Sequence, residues 1–173
     1  VENGVGEVRA AANVVVTGAA VDVAEVVSDG TIILPPSAKF TISDETDGAP
    51  SPVVQPTSST HLTTIANMAS LAADAVNVDG VTMVSGSAAS LAGLKDLGAL
   101  KSGTYSATVN NGVNDDDASV TQVEDIKGAT SGVVSATVTD TDPAVLVNLD
   151  TVTGENDLLN ITVGAHDVTT DQL

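Results

Sequence analysis

Cysteine and tryptophan are both missing from the 173 residues, and phenylalanine and tyrosine occur once each, as Phe40 and Tyr105. Without cysteine the chain can form no disulfide, thiolate nucleophile or cysteine-ligated metal site. That absence fits surface proteins of bacteria and viruses better than small secreted eukaryotic domains. With so few rings, the core has to be built from Val, Leu, Ile and Ala. Enzymes fill irregular cores with large aromatic side chains, whereas stacked aliphatic rows in a thin repetitive core do without them. Basic residues are scarce as well: five Lys and Arg stand against 23 Asp and Glu, a formal charge of −18. Such a charge repels phosphate backbones and anionic membrane surfaces, which excludes nucleic acid as an expected partner. It suits a protein bathed in salt or loaded with cations, where screening relieves self-repulsion. No run approaches the roughly 18–20 apolar residues of a membrane span, so membrane insertion is not expected. Val1 to Arg9 do not form a signal peptide, and the first residue is not Met. The chain is expected to be a processed product or a part of something larger.

Hydrophobic residues make up 42% of the chain, too many for disorder throughout. Their arrangement is repetitive. Lys101 to Val109 aligns with Thr130 to Val138, an offset of 29, with Ser-Gly and Ser-Ala-Thr-Val identical in both. Val81-Thr82-Met83-Val84 echoes the motif 25 residues before Val109, and Leu159-Asn160-Ile161-Thr162-Val163 echoes it 25 residues after Val138. The period is about 25 residues with a small insertion, the range of solenoid repeats. Within each unit the hydrophobic spacing changes. Leu91, Leu94, Leu97 and Leu100, and then Val120, Val123 and Ile126, form apolar stripes of a short helix or 3₁₀ turn. Ser87 and Ser119 are expected as N-caps, and Gly103 and Gly132 as stop signals. Tyr105 to Val109 and Val134 to Val138 alternate as strands do. Asp142-Pro143 opens a further helix with a stripe of Val145, Val147 and Leu149. The expected core rows are Leu91, Leu94, Leu97, Val109, Val123, Ile126, Val138, Leu149, Ile161 and Val163.

The N-terminal third reads differently. Asn13–Val16, Val21–Val27, Thr31–Leu34 and Lys39–Ile42 look like short strands, with turns at Gly18 and Asp29-Gly30. Asp44 to Thr60, rich in Pro, Ser, Gly and Asp, reads as a loop. The expected organisation is therefore an irregular β cap over residues 1–56 and a strand–helix repeat region over 57–173. The fold class is β-rich with short helices, a solenoid of about 25-residue repeats, with a β-sandwich as the alternative. Asp167 to Leu173 looks like the start of another helix and is expected to form a contact end.

The segment Thr130 to Thr141, followed by Leu146 and Leu149, resembles the Ala/Thr/Val/Asp-rich repeats of large bacterial surface proteins. These are the S-layer-like and RTX-adhesin-like proteins, notably of cyanobacteria, and similar stretches occur in phage virion proteins. The resemblance covers roughly residues 60–173 and lies in the style of repeat. It implies a structural role at a cell surface, outside the cell or on a virion surface, with calcium dependence. The Gly-Gly-x-Gly-x-Asp calcium repeat of RTX proteins is absent from this chain, so their calcium-roll mechanism does not carry over.

Ligand chemistry is confined to acidic clusters. Asp115, Asp116 and Asp117 with Asn114, Asp140 with Asp142, Asp44 with Glu45 and Asp47, and Glu155 with Asp157 each place carboxylates in one short stretch. Hard oxygen donors of this kind suit calcium, although none of the stretches has EF-hand spacing, and a solvated acidic turn is the plainer reading of each. His61 and His166 are about a hundred residues apart, with no Gly-x-Ser-x-Gly elbow and no His-x-x-x-His pair, so neither a serine triad nor a zinc site is indicated. No phosphate-binding Gly-Lys-Ser or Gly-Lys-Thr loop is present. Asn160-Ile161-Thr162 is a glycosylation sequon in form, set aside because Ile161 is expected in the core. The expectation is a non-enzymatic structural protein. It assembles with copies of itself or with neighbouring structural proteins, and the competing reading is a calcium-dependent adhesion or carbohydrate-binding module.

Overall fold

The computed structural model describes residues 8–30, 32–46, 53–68, 71–112, 115–151 and 156–161. In chain order the elements are β1 (Val8–Arg9), β2 (Val15–Ala19), α1 (Ala20–Asp29), β3 (Ile32–Ile33), β4 (Lys39–Ser43), β5 (Glu45–Thr46), β6 (Val54–Gln55), β7 (Thr57–Ser58) and α2 (Ser59–Ala66). There follow β8 (Val76–Gly80), β9 (Met83–Gly86), α3 (Ala88–Ala92) with a 3₁₀ turn at Gly93–Asp96, β10 (Ser106–Val109), β11 (Asp117–Ala118) and α4 (Val120–Ala129). The last are β12 (Val134–Val138), α5 (Pro143–Leu146) with a 3₁₀ turn at Val147–Thr151, and β13 (Leu158–Ile161). The fold is mixed α/β, with parallel sheets and five short helices, and the described residues form no closed barrel.

Strand pairing follows chain order. One sheet runs β2-β4-β8, and a bridge from Val76 to Leu100 extends it. The larger sheet runs β7-β9-β10-β12-β13, every pair parallel. Parallel pairing with helices in the connections departs from the β-sandwich alternative, whose sheets are antiparallel. Among the named strands only β5 and β6 pair antiparallel. β12 meets β10 through Val134 and Ser135 and β11 through Thr137 and Val138, while β13 pairs along Ser135 to Val138. β10 and β11 therefore share one edge of β12, and the chain between them leaves the sheet and returns. This excursion accounts for the insertion in the repeat.

The register differs from the sequence alignment by two residues at each step. Ala107 lies opposite Val84 and Val134, and Val138 opposite Ile161, whereas the alignment matched Val84, Val109, Val138 and Val163. Val163 lies outside the described residues. A slip of two keeps the same side chains facing inward, because strand side chains alternate. Thus Val84, Ala107, Val109, Val134, Ala136 and Val138 are all buried. Between the strands, Leu91, Leu94, Val120, Val123, Ile126 and Leu149 are buried as expected, and they join one core cluster that runs from Ala20 to Leu149.

Four expectations are corrected. Val21–Val27 is not a strand but most of α1. Its buried residues are Ala20, Val23 and Ala24, with Val27 partly covered, a helical spacing that outweighs the strand preference of valine. Gly30, in the left-handed region at φ 66°, ends that helix, and Gly18 lies inside β2 instead of turning the chain. Asp44–Thr60 contains β5, β6 and β7 and opens α2. Gly103 and Gly132 are not helix stops, since the 3₁₀ turn after α3 already ends at Asp96 and α4 at Ala129. A Cβ on Gly103 would strike the Tyr105 ring, and one on Gly132 the Tyr105 carbonyl. Both Ser-Gly glycines thus sit against Tyr105, Gly103 against its ring and Gly132 against its backbone. Phe40 and Tyr105 are both buried, so the aliphatic core takes in the two large rings.

Candidate functional site

Four acidic residues, Asp44, Glu45, Asp140 and Asp157, accept hydrogen bonds from backbone N–H groups distant in sequence. Helix α4 begins with a capping box: Ser119 Oγ accepts from Gln122 N–H, and Gln122 Oε1 accepts from Ser119 N–H. The first helical N–H, at Val120, donates to Asp140 Oδ2 at 2.6 Å, from the end of the next strand, β12. Helix α3 repeats the arrangement. Ser87 is its N-cap, and the Ala88 N–H donates at 2.9 Å to Asn111 Oδ1, just after β10. A side chain that follows one strand thus caps the helix that follows the previous strand. Helix α5 starts with Pro143, which has no N–H to satisfy, and Asp142 serves as its own N-cap through Ala144 N–H.

Four further acids, Asp44, Asp157, Glu45 and Asp115, are held by hydrogen bonds. Asp44 accepts from both the N–H and the hydroxyl of Thr82, each at 2.7 Å. Asp157, whose side chain is only 3% exposed, accepts from Val134 N–H at 2.8 Å and pairs with Lys127 Nζ at 3.2 Å. Glu45 Oε1 lies 2.8 Å from His61 Nδ1 and accepts from Ser58 N–H. In the excursion after β10, Asn111 Nδ2 donates to Asp115 Oδ1 and to the Asp117 carbonyl. Hydrogen bonds from Asn111 and from the Asp117 N–H hold the Asp115 carboxyl below its ordinary range. Asp115, Asp116 and Asp117 are all exposed.

The expected calcium groups are therefore distributed over separate joints: Asp44 near Thr82, Asp115 to Asp117 beside β10, Asp140 on α4 and Asp142 on α5. Among the described residues, no three His, Asp or Glu side chains stand close enough together to hold one metal ion. Asp47, Asn114, Glu155, His166 and Asp167–Leu173 lie outside the described residues. Asn111 was not singled out from sequence. Its only signal there is its place two residues after the strand, which Asp140 shares.

The shallow depressions among the described residues include two lined by acidic side chains. One, lined by Asp22, Glu25, Val26, Ser28 and Asp29, lies on α1, and the other is formed by Thr108 to Asn110 with Gly112, Asp115 and Asp116. Neither brings a histidine to a hydroxyl, the minimum for a serine nucleophile. No helix among the described residues is long and apolar enough to cross a membrane.

The last described strand has the opposite character. Leu159 and Ile161 continue the inward rows of Ala136 and Val138. Val138 is 1% exposed but Ile161 is 42% exposed, and outward-facing Leu158 is 67% exposed. Ile161 is thus corrected from a core residue to an uncovered one, and Asn160 of the sequon is exposed too. Comparison with protein-family models, with curated proteins and with solved structures finds no match.

Proposed function

We propose that this chain is a non-enzymatic structural protein, a solenoid segment that builds a surface layer, filament or particle coat with copies of itself or neighbouring structural proteins. Its setting is extracellular, at a cell surface or on a virion surface. Three features support the solenoid reading. Strands join parallel sheets in chain order, inward rows merge into one aliphatic core, and side chains of one pass cap helices of the pass before it. A stack of this kind gains stability from neighbour interfaces and needs its outermost passes covered.

The observation that carries the assembly reading is the exposure of Ile161 on an inward row whose neighbour Val138 is sealed. A strand edge that displays open backbone groups and aliphatic side chains is a pairing template. Cations are the natural cofactor of such an assembly, calcium first, because a chain of charge −18 repels its own copies until counterions screen it.

The test replaces Leu158 and Ile161 together by lysine. Wild type should sediment as large assemblies, and the double variant should stay dispersed with an unchanged circular dichroism spectrum. Equal sedimentation of the two proteins would remove the β13 edge from the contact.

A further inference from the structure

Asn111 is followed by Gly112 in an exposed excursion, and its side-chain amide is the hub of that joint. Its Oδ1 accepts the first N–H of α3, and its Nδ2 donates to Asp115 Oδ1 at 3.0 Å and to the Asp117 carbonyl at 2.8 Å. Its backbone N–H also donates to the Asp115 carbonyl at 2.7 Å. Gly112 takes φ 154° and has nothing within 4 Å of a would-be Cβ, and its N–H donates to Asn110 Oδ1 at 3.2 Å. An asparagine before glycine is chemically exposed, because no side chain shields the following backbone nitrogen.

We propose that Asn111 is a spontaneous modification site, converted to aspartate and isoaspartate through a cyclic imide, and that the folded joint holds this reaction back. In the first step the Gly112 nitrogen forms a bond to Asn111 Cγ. The Cγ–Nδ2 bond breaks, and Nδ2 leaves as ammonia with the proton from the Gly112 nitrogen. Water then opens the imide at either carbonyl, giving the aspartyl or the isoaspartyl product. No other reactant is required. In the folded chain the three side-chain hydrogen bonds fix Cγ, and the Gly112 N–H is turned to Asn110, so attack requires the joint to open first.

The product cannot restore the joint. An aspartate at 111 still accepts from Ala88, as Asp140 does from Val120, but it has nothing to donate to Asp115 or to the Asp117 carbonyl. It also sets a new negative charge beside Asp115, at the separation where like charges repel. The isoaspartyl form lengthens the backbone by one methylene and disturbs the Gly112–Asp115 bridge as well. Modification would therefore detach the excursion from the helix of the preceding pass and leave the change in place permanently.

The experiment incubates the full chain at neutral pH with and without urea and maps aspartate and isoaspartate by peptide mass spectrometry. Asn3, which also precedes glycine, is the chemical reference in urea, where the two sites should react at similar rates. Without urea, Asn111 should convert at least about tenfold more slowly than it does in urea. Equal rates at Asn111 in the two conditions overturn the protection. As a second readout, Asn111→Asp should lower the urea midpoint, with part of the loss recovered in high salt. An unchanged midpoint overturns the claim that the product loosens the joint.

Discussion

Tyr105 shows how one side chain can organise several contacts. Its ring is buried over Gly103, its hydroxyl donates to the Ala129 carbonyl at 3.2 Å, and its own carbonyl accepts from Thr130 Oγ1. Burial pushes the phenol up to about 12. The unfolded chain ionises above the usual value near 10 while the folded chain does not. Stability is therefore intact below that pH and declines as pH rises from about 10 towards 12. The loss amounts to roughly 2 to 3 kcal/mol for a shift of this size. Phenolate absorbance from this single tyrosine should therefore appear together with unfolding, and a phenol that ionises in the folded chain near pH 10 would contradict the packing. Gly132 tests the same contact from the other side. Gly132→Ala should cost about 1 to 3 kcal/mol in urea unfolding because the methyl group meets backbone. Gly98→Ala, which enters open space, should change stability by less than about 0.5 kcal/mol. None of this was legible in the sequence beyond the recurrence of Ser-Gly, because a glycine kept for close approach and a glycine that ends a helix look alike there.

At the scale of elements, the second half of the chain was readable because alternation and caps are local. Val134–Val138 is β12 as expected, and Ser87 and Ser119 are the N-caps of α3 and α4. Val147, placed on the α5 stripe, is 48% exposed, while Leu149 is covered. Helix α1 was misread because valine favours strands, yet tertiary burial of Ala20, Val23 and Ala24 decided its conformation. The acidic residues were visible as clusters, but the partners of Asp44 and Asp140 are not neighbours in sequence. Asp140 meets Val120 and Asp44 meets Thr82, pairings that only the stacking of separate passes creates. Asp140→Ala should leave the Val120 N–H without this acceptor and destabilise the chain by about 1 to 2 kcal/mol, comparable to loss of a helix cap. Hydrogen exchange should speed up in the first turn of α4 while α1 and α2 are unaffected. Uniform acceleration over the whole chain would show that the joint is not local.

At the scale of the molecule, parallel strands pair around one shared core, and exposure rises sharply at β13. The sequence suggested a periodic aliphatic core, and Ile161, on an inward row, is left exposed where Val138 beside it is buried. The register could not be settled from the alignment, because a slip of two residues preserves the inward face and leaves the hydrophobic pattern unchanged. The most direct test of the structural role is the mass of the purified chain in solution, measured by light scattering with calcium, without it, and with chelator. The account predicts assemblies many times the 17.1 kDa chain mass, formed with calcium and dissolved by chelator. A monomer under all three conditions would contradict it.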